Sequence, residues 1–149
     1  MGPLVIRNAQ LDDLDDVTEV FRTASLSNEG DRENLLAHPE FLELSDAAIV
    51  EGRLRLAEID GVTVGFVSGI RVGCEVELED LFVAPDWMRN GVATRLVTDL
   101  IERSRAAGAS HLVVTANSHA MAFYLKAGFH GSEEVDTDFG PGARMYLYL

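Results

Sequence analysis

The feature that most constrains the fold is an amphipathic stretch from Gly91 to Ala107, which lies between two strand-like segments. Its apolar residues recur at helical spacing, and Gly108 is a natural helix terminator. The segment before it, EVELEDLFVAP (75–85), is typical of a strand and stops at a proline, whereas HLVVTA (111–116) is an apolar run typical of a strand covered on both faces. A strand, a helix and a second strand in this order predict an α/β fold.

The rest of the chain alternates in the same way. The upstream pattern predicts a strand at 4–10, a helix at 11–24, one or two short helices within 28–44, and a hairpin of strands at 53–60 and 62–70. The downstream pattern predicts a helix at 118–128 and strands at 129–135 and 144–149. Ser118 is the predicted N-cap of that helix, and Gly128 is its terminator. Since no repeat, linker or low-complexity tract interrupts the sequence, we predict a single domain over residues 1–149.

The chain is strongly acidic, with 25 Asp and Glu residues against 12 Lys and Arg residues and a formal net charge of -13. Such a surface repels nucleic acid and anionic membranes and favours a cationic small molecule or peptide. The alternative, which we favour, is that the acidic residues simply keep the protein soluble.

The sequence also bears on location and on metals. No apolar run approaches the roughly 20 residues of a membrane-spanning helix, and the first residues do not resemble a signal peptide, so a cytoplasmic location is expected. One cysteine and four scattered histidines lack the spacing of metal ligands, so we predict no metal site. Cys74 itself is interpreted as a packing thiol at a strand end.

The stretch WMRNGVATRL (87–96) opens the central helix. A helix N-terminus exposes about four unpaired N–H groups and roughly half a positive charge, which suits a phosphate or a pyrophosphate. Gly91 has no side chain, Ala93 has one methyl group, and Arg89 adds a charge at the rim. An ordinary strand-to-helix turn is the alternative. Neither G-x-x-x-x-G-K-[ST] nor G-x-G-x-x-G is present, which disfavours a nucleotide-binding domain.

A second motif, NSHAMAFYLKAGF (117–129), follows the next strand. Together with LFVAPDWMRNGVATRL it resembles the GNAT superfamily of acyl-CoA dependent N-acyltransferases, in which a strand ending in V-x-P leads into Q/R-x-x-G-x-G/A. The family's N-x-x-A-x-x-F-Y-x-x-x-G-F pattern is matched by Asn117, Ala120, Phe123, Tyr124, Gly128 and Phe129. Met88 occupies the family's Gln or Arg position, which implies weaker cofactor binding.

The resemblance implies a mixed, mostly antiparallel sheet of about seven strands, flanked by about four helices and splayed at its two central strands. It also implies direct transfer of an acetyl group from acetyl-CoA to a primary amine of a small molecule or peptide in a ternary complex. A non-catalytic acyl-CoA-binding sensor or regulatory module is the alternative, which Met88 favours and which Asn117 and Tyr124 oppose.

The same resemblance assigns the cofactor contacts. Backbone groups of Phe82 and Val83 are expected to face the pantetheine arm and the thioester carbonyl, and Asn117 is expected to hydrogen-bond that arm. Phe123, mainly a packing residue, and Tyr124 complete this part of the site. The pyrophosphate is expected at the helix start, against Arg89, Asn90, Gly91, Val92, Ala93 and Thr94.

Acyl transfer needs a proton for the departing thiolate and a base for the ammonium group. Tyr124 resembles the family's general acid, and packing in the core is the alternative. Glu75, Glu77 and Glu79 alternate onto one face of their strand, with Asp80 opposite unless a bulge intervenes. Glu77 or Glu79 is the expected base, and a solvated acidic face is the alternative.

Two further predictions concern the last strands. The stretch EEVDTDFGPGA (133–143) is expected to be a mobile turn, or else to border the acceptor pocket through Asp136, Asp138 and Phe139. The C-terminal MYLYL either pairs across a two-fold axis in a homodimer or is buried on both faces within one chain.

Overall fold

The computed structural model of the protein describes residues 2–27, 29–137 and 140–149. Its strands are β1 (Leu4–Asn8), β2 (Leu54–Ile59), β3 (Val62–Val72), β4 (Glu75–Val83), β5 (His111–Asn117), β6 (His130–Thr137) and β7 (Gly140–Tyr148). Its helices are α1 (Leu14–Leu26), α2 (Glu29–Ala37), α3 (Ala47–Val50), α4 (Val92–Ala106) and α5 (Met121–Lys126). The predicted hairpin and the predicted central helix are therefore confirmed, and α3 is a short addition. No helix in the described ranges is long and apolar enough to cross a membrane.

The strands are hydrogen-bonded in the order β1-β2-β3-β4-β5-β7-β6. The β1–β2, β2–β3, β5–β7 and β6–β7 pairs are antiparallel, and β4–β5 is parallel. The β4–β5 ladder stops at Leu78 opposite Val114, although β5 continues to Asn117. The predicted fold class, a mixed and mostly antiparallel sheet with helices, is confirmed.

Two compact units make up the chain, and each contains two separate segments. The first consists of Met1–Ser68 and Asp80–Leu96, and the second of Gly69–Glu79 and Val97–Leu149. The core of the first unit lies where α1 packs on β2 and β3. Val17 and Val20, one helical turn apart, are buried there with Phe66.

Gly65 allows α4 to approach β3 closely within the first unit. A Cβ atom at this position would lie 3.0 Å from the Phe82 carbonyl oxygen and 3.1 Å from side-chain atoms of Val92 and Leu96. Because those positions are filled, a larger residue would push the helix away from the strand. The start of α4 is thus held at a fixed height over the sheet.

The core of the second unit centres on β5 and β7. Leu112 and Met145 are fully buried in it. At Gly142 the two backbones approach so closely that a Cβ atom would lie 2.6 Å from the Ala116 carbonyl oxygen. This glycine is therefore required by a close strand contact rather than by a turn.

That contact bears on two predictions about the end of the chain. Residues 133–137 and 140–143 are not a loop, because β6 continues to Thr137 and β7 begins at Gly140, its partner in the register. MYLYL has no free strand edge for pairing with a second copy, since β7 lies between β5 and β6, and the homodimer itself stays a prediction. Asp138 and Phe139 lie outside the described residues.

Three smaller predictions are also wrong. Helix α5 begins at Met121 rather than at 118, and its N-cap position is Ala120 rather than Ser118, with no side-chain cap. Asn117 instead closes the turn before the helix, since its Oδ1 accepts hydrogen bonds from the N–H groups of His119 and Ala120, both at 3.0 Å. Cys74 is exposed in the turn between β3 and β4, so its thiol is not a packing group.

Candidate functional site

The side chains at the end of the strand that precedes α4 pack into the core. The Phe82 ring packs against Phe21 and Phe66, with ring centroids 5.0 and 5.6 Å apart, and Val83 is buried. Both side chains therefore belong to the core of the first unit. That Phe82 and Val83 contact a cofactor through main-chain groups stays a prediction.

The start of α4 is shaped by two residues in the left-handed backbone region, Arg89 (φ 65°) and Gly91 (φ 81°). A Cβ atom at Gly91 would meet no described atom within 4 Å, so the space above its backbone is open. Val92 is buried and anchors the first turn. The first hydrogen bond of the helix runs from the Arg95 N–H to the Gly91 carbonyl at 3.0 Å. The preceding amides of the first turn therefore have no acceptor inside the helix.

The side chains around this helix start differ in their exposure and in their hydrogen bonds. The Asn90 amide donates to the Met88 carbonyl at 3.1 Å, which stabilises the turn. The Arg89 and Thr94 side chains are exposed, whereas Ala93 is half-buried. Met88 is 41% exposed and has no hydrogen-bond donor in its side chain. The positive charge at this rim consequently falls to Arg89.

The second motif forms α5 and its two ends. Asn117 closes β5 opposite Gly142 and caps the turn before the helix. At the other end the Phe129 N–H donates to the Tyr124 carbonyl at 3.0 Å, and the two rings are 5.3 Å apart. Tyr124 is 5% exposed and also contacts Phe123. Packing thus accounts for part of this motif.

Sequence comparison identifies the family that combines these two helix starts. A family model described as "Acetyltransferase (GNAT) family" matches residues 14–129. The chain belongs to the GNAT acetyltransferase family. The matched residues include both helix starts and β4, and they extend over both compact units.

A curated relative agrees with that family assignment. An uncharacterized N-acetyltransferase of Methanocaldococcus jannaschii is 30% identical over 142 residues, which is 87% of this chain and 62% of the relative. The chain thus spans less than two thirds of that protein's length.

Solved structures show the same fold. The PaiA N-acetyltransferase from Thermoplasma acidophilum, in complex with coenzyme A, has a TM-score of 0.74 at 18% identity over 99% of both chains. A GCN5-related N-acetyltransferase from Rhodopseudomonas palustris has a TM-score of 0.75 at 24% identity, over 100% of this chain and 98% of its own.

The three glutamates of β4 have different surroundings. Glu75 lies 2.8 Å from the Nε2 atom of His111, and Glu77 accepts a 2.9 Å hydrogen bond from Arg144 Nη1. Glu79 is exposed. Buried Val76 and Leu78 alternate with the glutamates, as the one-face prediction requires.

Beyond Leu78 the alternation on β4 is lost, since residues 80–82 are all half-buried. Asp80 accepts a 3.3 Å hydrogen bond from the Ser68 hydroxyl. Among the described residues, no group of three or more His, Cys, Asp or Glu side chains is arranged to hold a metal ion.

Sequence reasoning missed Arg144. Its Nη1 atom donates both to Glu77 and, at 2.8 Å, to Thr115 Oγ1. The hydrogen bond to Glu77 raises the pKa of Arg144 above its ordinary value. Arg144 and Glu77 are 67 positions apart, so only the strand register brings them together. The one sequence signal is a charged residue at the start of the apolar run RMYLYL.

The predicted site residues divide between the two units. Phe82, Val83 and the helix start at 89–94 belong to the first unit. Glu77, Glu79, Asn117, Phe123 and Tyr124 belong to the second.

Proposed function

We propose that this GNAT acetyltransferase moves an acetyl group from acetyl-CoA to a primary amine by direct transfer in a ternary complex, and that residues 1–149 act as one catalytic domain. The observation that carries the proposal is the start of α4, where open space above Gly91 exposes first-turn amides beside Arg89. Such a helix start suits the pyrophosphate of coenzyme A. The coenzyme A in the T. acidophilum relative supports the same ligand.

The cofactor contacts follow from these groups. Amides of Gly91, Val92, Ala93 and Thr94 bind the pyrophosphate, and Arg89 and Asn90 border it. Main-chain groups of Phe82 and Val83 pair with the pantetheine arm and orient the thioester carbonyl. Asn117 donates to the same arm through its amide nitrogen, because its Oδ1 already accepts two cap bonds.

The chemistry then requires three steps. Glu77 or Glu79 takes a proton from the acceptor ammonium, directly or through water, so that the amine nitrogen is free to attack the thioester carbonyl. A backbone N–H group stabilises the developing oxyanion. As the carbon–sulfur bond breaks, Tyr124 donates its phenolic proton to the thiolate, which leaves as coenzyme A. The second proton of the attacking nitrogen then restores the phenol, directly or through water, and the glutamate releases its proton to solvent. Phe123 packs beside Tyr124 and fixes its ring.

The acceptor we propose is a primary amine of a small molecule or peptide, and the acidic composition is compatible with a cationic one. The formal net charge of -13 attracts cations over distances beyond direct contact. Nucleic acid and anionic membrane surfaces are disfavoured partners for the same reason.

A second candidate function is a sensor that binds acyl-CoA without turnover. The observation that favours it is Met88, which contributes no side-chain donor at the rim of the helix start. A sensor would retain acetyl-CoA affinity and release no thiol with any amine.

The test is thiol release from acetyl-CoA across a panel of amines, followed with a thiol-reactive dye. We expect one amine class to stimulate release, and Tyr124→Phe to lower turnover by at least about tenfold while acetyl-CoA affinity stays within about twofold. Tyr148→Phe, which alters an exposed tyrosine of the same unit, is the matched control. Unchanged turnover in Tyr124→Phe removes this tyrosine from the mechanism. Bound acetyl-CoA without release by any amine favours the sensor.

A further inference from the structure

Three neighbouring strands of the second unit place Glu77, Thr115 and Arg144 on one face. Thr115 lies opposite Arg144 in the β5–β7 register, and Glu77 lies opposite Val113, two residues before Thr115, in the β4–β5 register. Side chains two residues apart on a strand share a face, so the arginine extends across β5 to reach β4. The arrangement therefore depends on the register of three strands.

The hydrogen bonds use both protons of one guanidinium nitrogen. Arg144 Nη1 donates one to Glu77 Oε1 at 2.9 Å and the other to Thr115 Oγ1 at 2.8 Å. The guanidinium is thus fixed from two sides. Among the residues that the structure describes, none donates a hydrogen bond to the second Glu77 oxygen, Oε2.

The pair is shielded but still accessible. The Arg144 and Glu77 side chains are 27% and 34% exposed. A pair in this range is less screened by solvent than a surface ion pair, and a small ligand can still reach the carboxylate.

We propose that Arg144 is a positioning residue for the acceptor amine: it fixes Glu77 through Oε1 and leaves Oε2 as the atom that receives the amine proton. This inference rests on the proposed acetyl transfer. It selects Glu77 over Glu79 as the base.

Other titratable groups belong to the same surroundings and must be separated from this effect. They are Glu75 with its partner His111, the exposed Glu79, Glu133 opposite Arg144 on β6, and Tyr146, whose interaction with Arg144 contributes to the raised pKa of the guanidinium. Of these, Glu75 is the best control, because it has the same residue type on the same strand with a different partner.

The experiment measures kcat and KM with the best amine of the panel, in wild type and Arg144→Gln. Loss of the guanidinium frees the Glu77 carboxylate to rotate away from the amine, so kcat at pH 7 should fall about three- to tenfold. The KM for acetyl-CoA should not change.

A double-mutant cycle tests whether Arg144 acts through Glu77. In a Glu77→Gln background, Arg144→Gln should have no further effect on kcat. Glu75→Gln should leave kcat within about twofold of the wild-type value. The inference is overturned if Arg144→Gln lowers thermal stability with an unchanged kcat, or if its effect on kcat persists without Glu77.

Two further variants cover the case in which Arg144→Gln does not fold. Arg144→Lys keeps a charged donor for Glu77, so kcat should fall less than in Arg144→Gln, and an equal loss contradicts the positioning role. Thr115→Val removes only the second anchor, so kcat should fall with an unchanged KM for acetyl-CoA, and an unchanged kcat contradicts the positioning role. Absence of transfer by the wild type itself rejects the proposed function instead, which is a separate outcome.

Discussion

At the scale of single residues, one ion pair fixes the entry to α1. The two Nη atoms of Arg7 each donate to one oxygen of Asp13 at 2.9 Å, and Nη2 also donates to Glu58 at 3.3 Å. Asp13 further accepts a hydrogen bond from the Gln10 N–H at 2.8 Å. The Arg7 hydrogen bonds are the main reason that the pKa of Asp13 lies below its ordinary value.

Asp13→Asn should therefore destabilise the protein at neutral pH. Because the folded-state pKa of Asp13 is lowered, its contribution is complete above the unfolded value of about 3.9 and is lost as the pH falls through the folded value. The side chain of Arg7 is 37% exposed. Allowing for solvent screening, we expect Asp13→Asn to lower the free energy of unfolding by about 1 kcal/mol at pH 7, as measured by urea unfolding.

The difference in the free energy of unfolding between Asp13→Asn and wild type should become smaller as the pH is lowered toward 3. Asp12→Asn makes the same change at an exposed neighbour, and its free energy of unfolding should stay within about 0.5 kcal/mol of the wild-type value. A difference that is the same at pH 7 and at pH 3 would show that the carboxylate charge is not what stabilises this turn.

At the scale of elements, α5 and the turn before it combine a structural role with the proposed cofactor contact. It is a helix of 6 residues, too short to be stable by itself, and it depends on the Asn117 cap and on the Tyr124–Phe129 contact at its end. The proposed cofactor contact uses the amide nitrogen of the same Asn117. Its two side-chain atoms therefore carry separate roles.

Two substitutions of Asn117 separate these roles. Asn117→Asp keeps an oxygen acceptor for the cap but lacks the amide donor, so thermal stability should be nearly unchanged while the KM for acetyl-CoA rises about five- to tenfold. Asn117→Ala should also lose about 1 kcal/mol of stability with the cap. Calorimetric titration with acetyl-CoA and thermal melting give the two readouts. Equal acetyl-CoA affinity in wild type and Asn117→Asp would confine Asn117 to the capping role.

Elements with local signals were predictable from sequence, and contacts set by tertiary structure were not. The helix predicted at 91–107 is observed at Val92–Ala106, because helical periodicity and a terminating glycine are local. Gly142 indicated a loop, since no local pattern shows that another strand's carbonyl will take the place of its side chain. The Arg144–Glu77 pair was missed for the same reason. The two motifs behind the cofactor-site prediction could be recognised because each is contiguous in sequence.

At the scale of the whole molecule, the distribution of charge opposes one proposed ligand and favours the other. Acetyl-CoA is anionic, and the chain carries a formal net charge of -13, so long-range forces repel it. Its binding must come from short-range groups such as the α4 amides and Arg89. A cationic acceptor is attracted by the same long-range field, which identifies ionic strength as the variable that separates the two.

Raising the ionic strength from about 0.01 to 0.1 M shortens the screening length from about 30 to 10 Å. For a polyamine acceptor, kcat/KM should then fall several-fold, because screening removes the attraction. The affinity for acetyl-CoA should change little or rise, since screening also removes its repulsion. For a monoamine acceptor, which carries a single charge, kcat/KM should depend less on ionic strength than for the polyamine.

If kcat/KM for the polyamine falls while the affinity for acetyl-CoA rises, a general effect of salt on the fold is excluded, because such an effect would weaken the binding of both ligands. If polyamine and monoamine respond alike, the acidic residues serve solubility and do not select the acceptor.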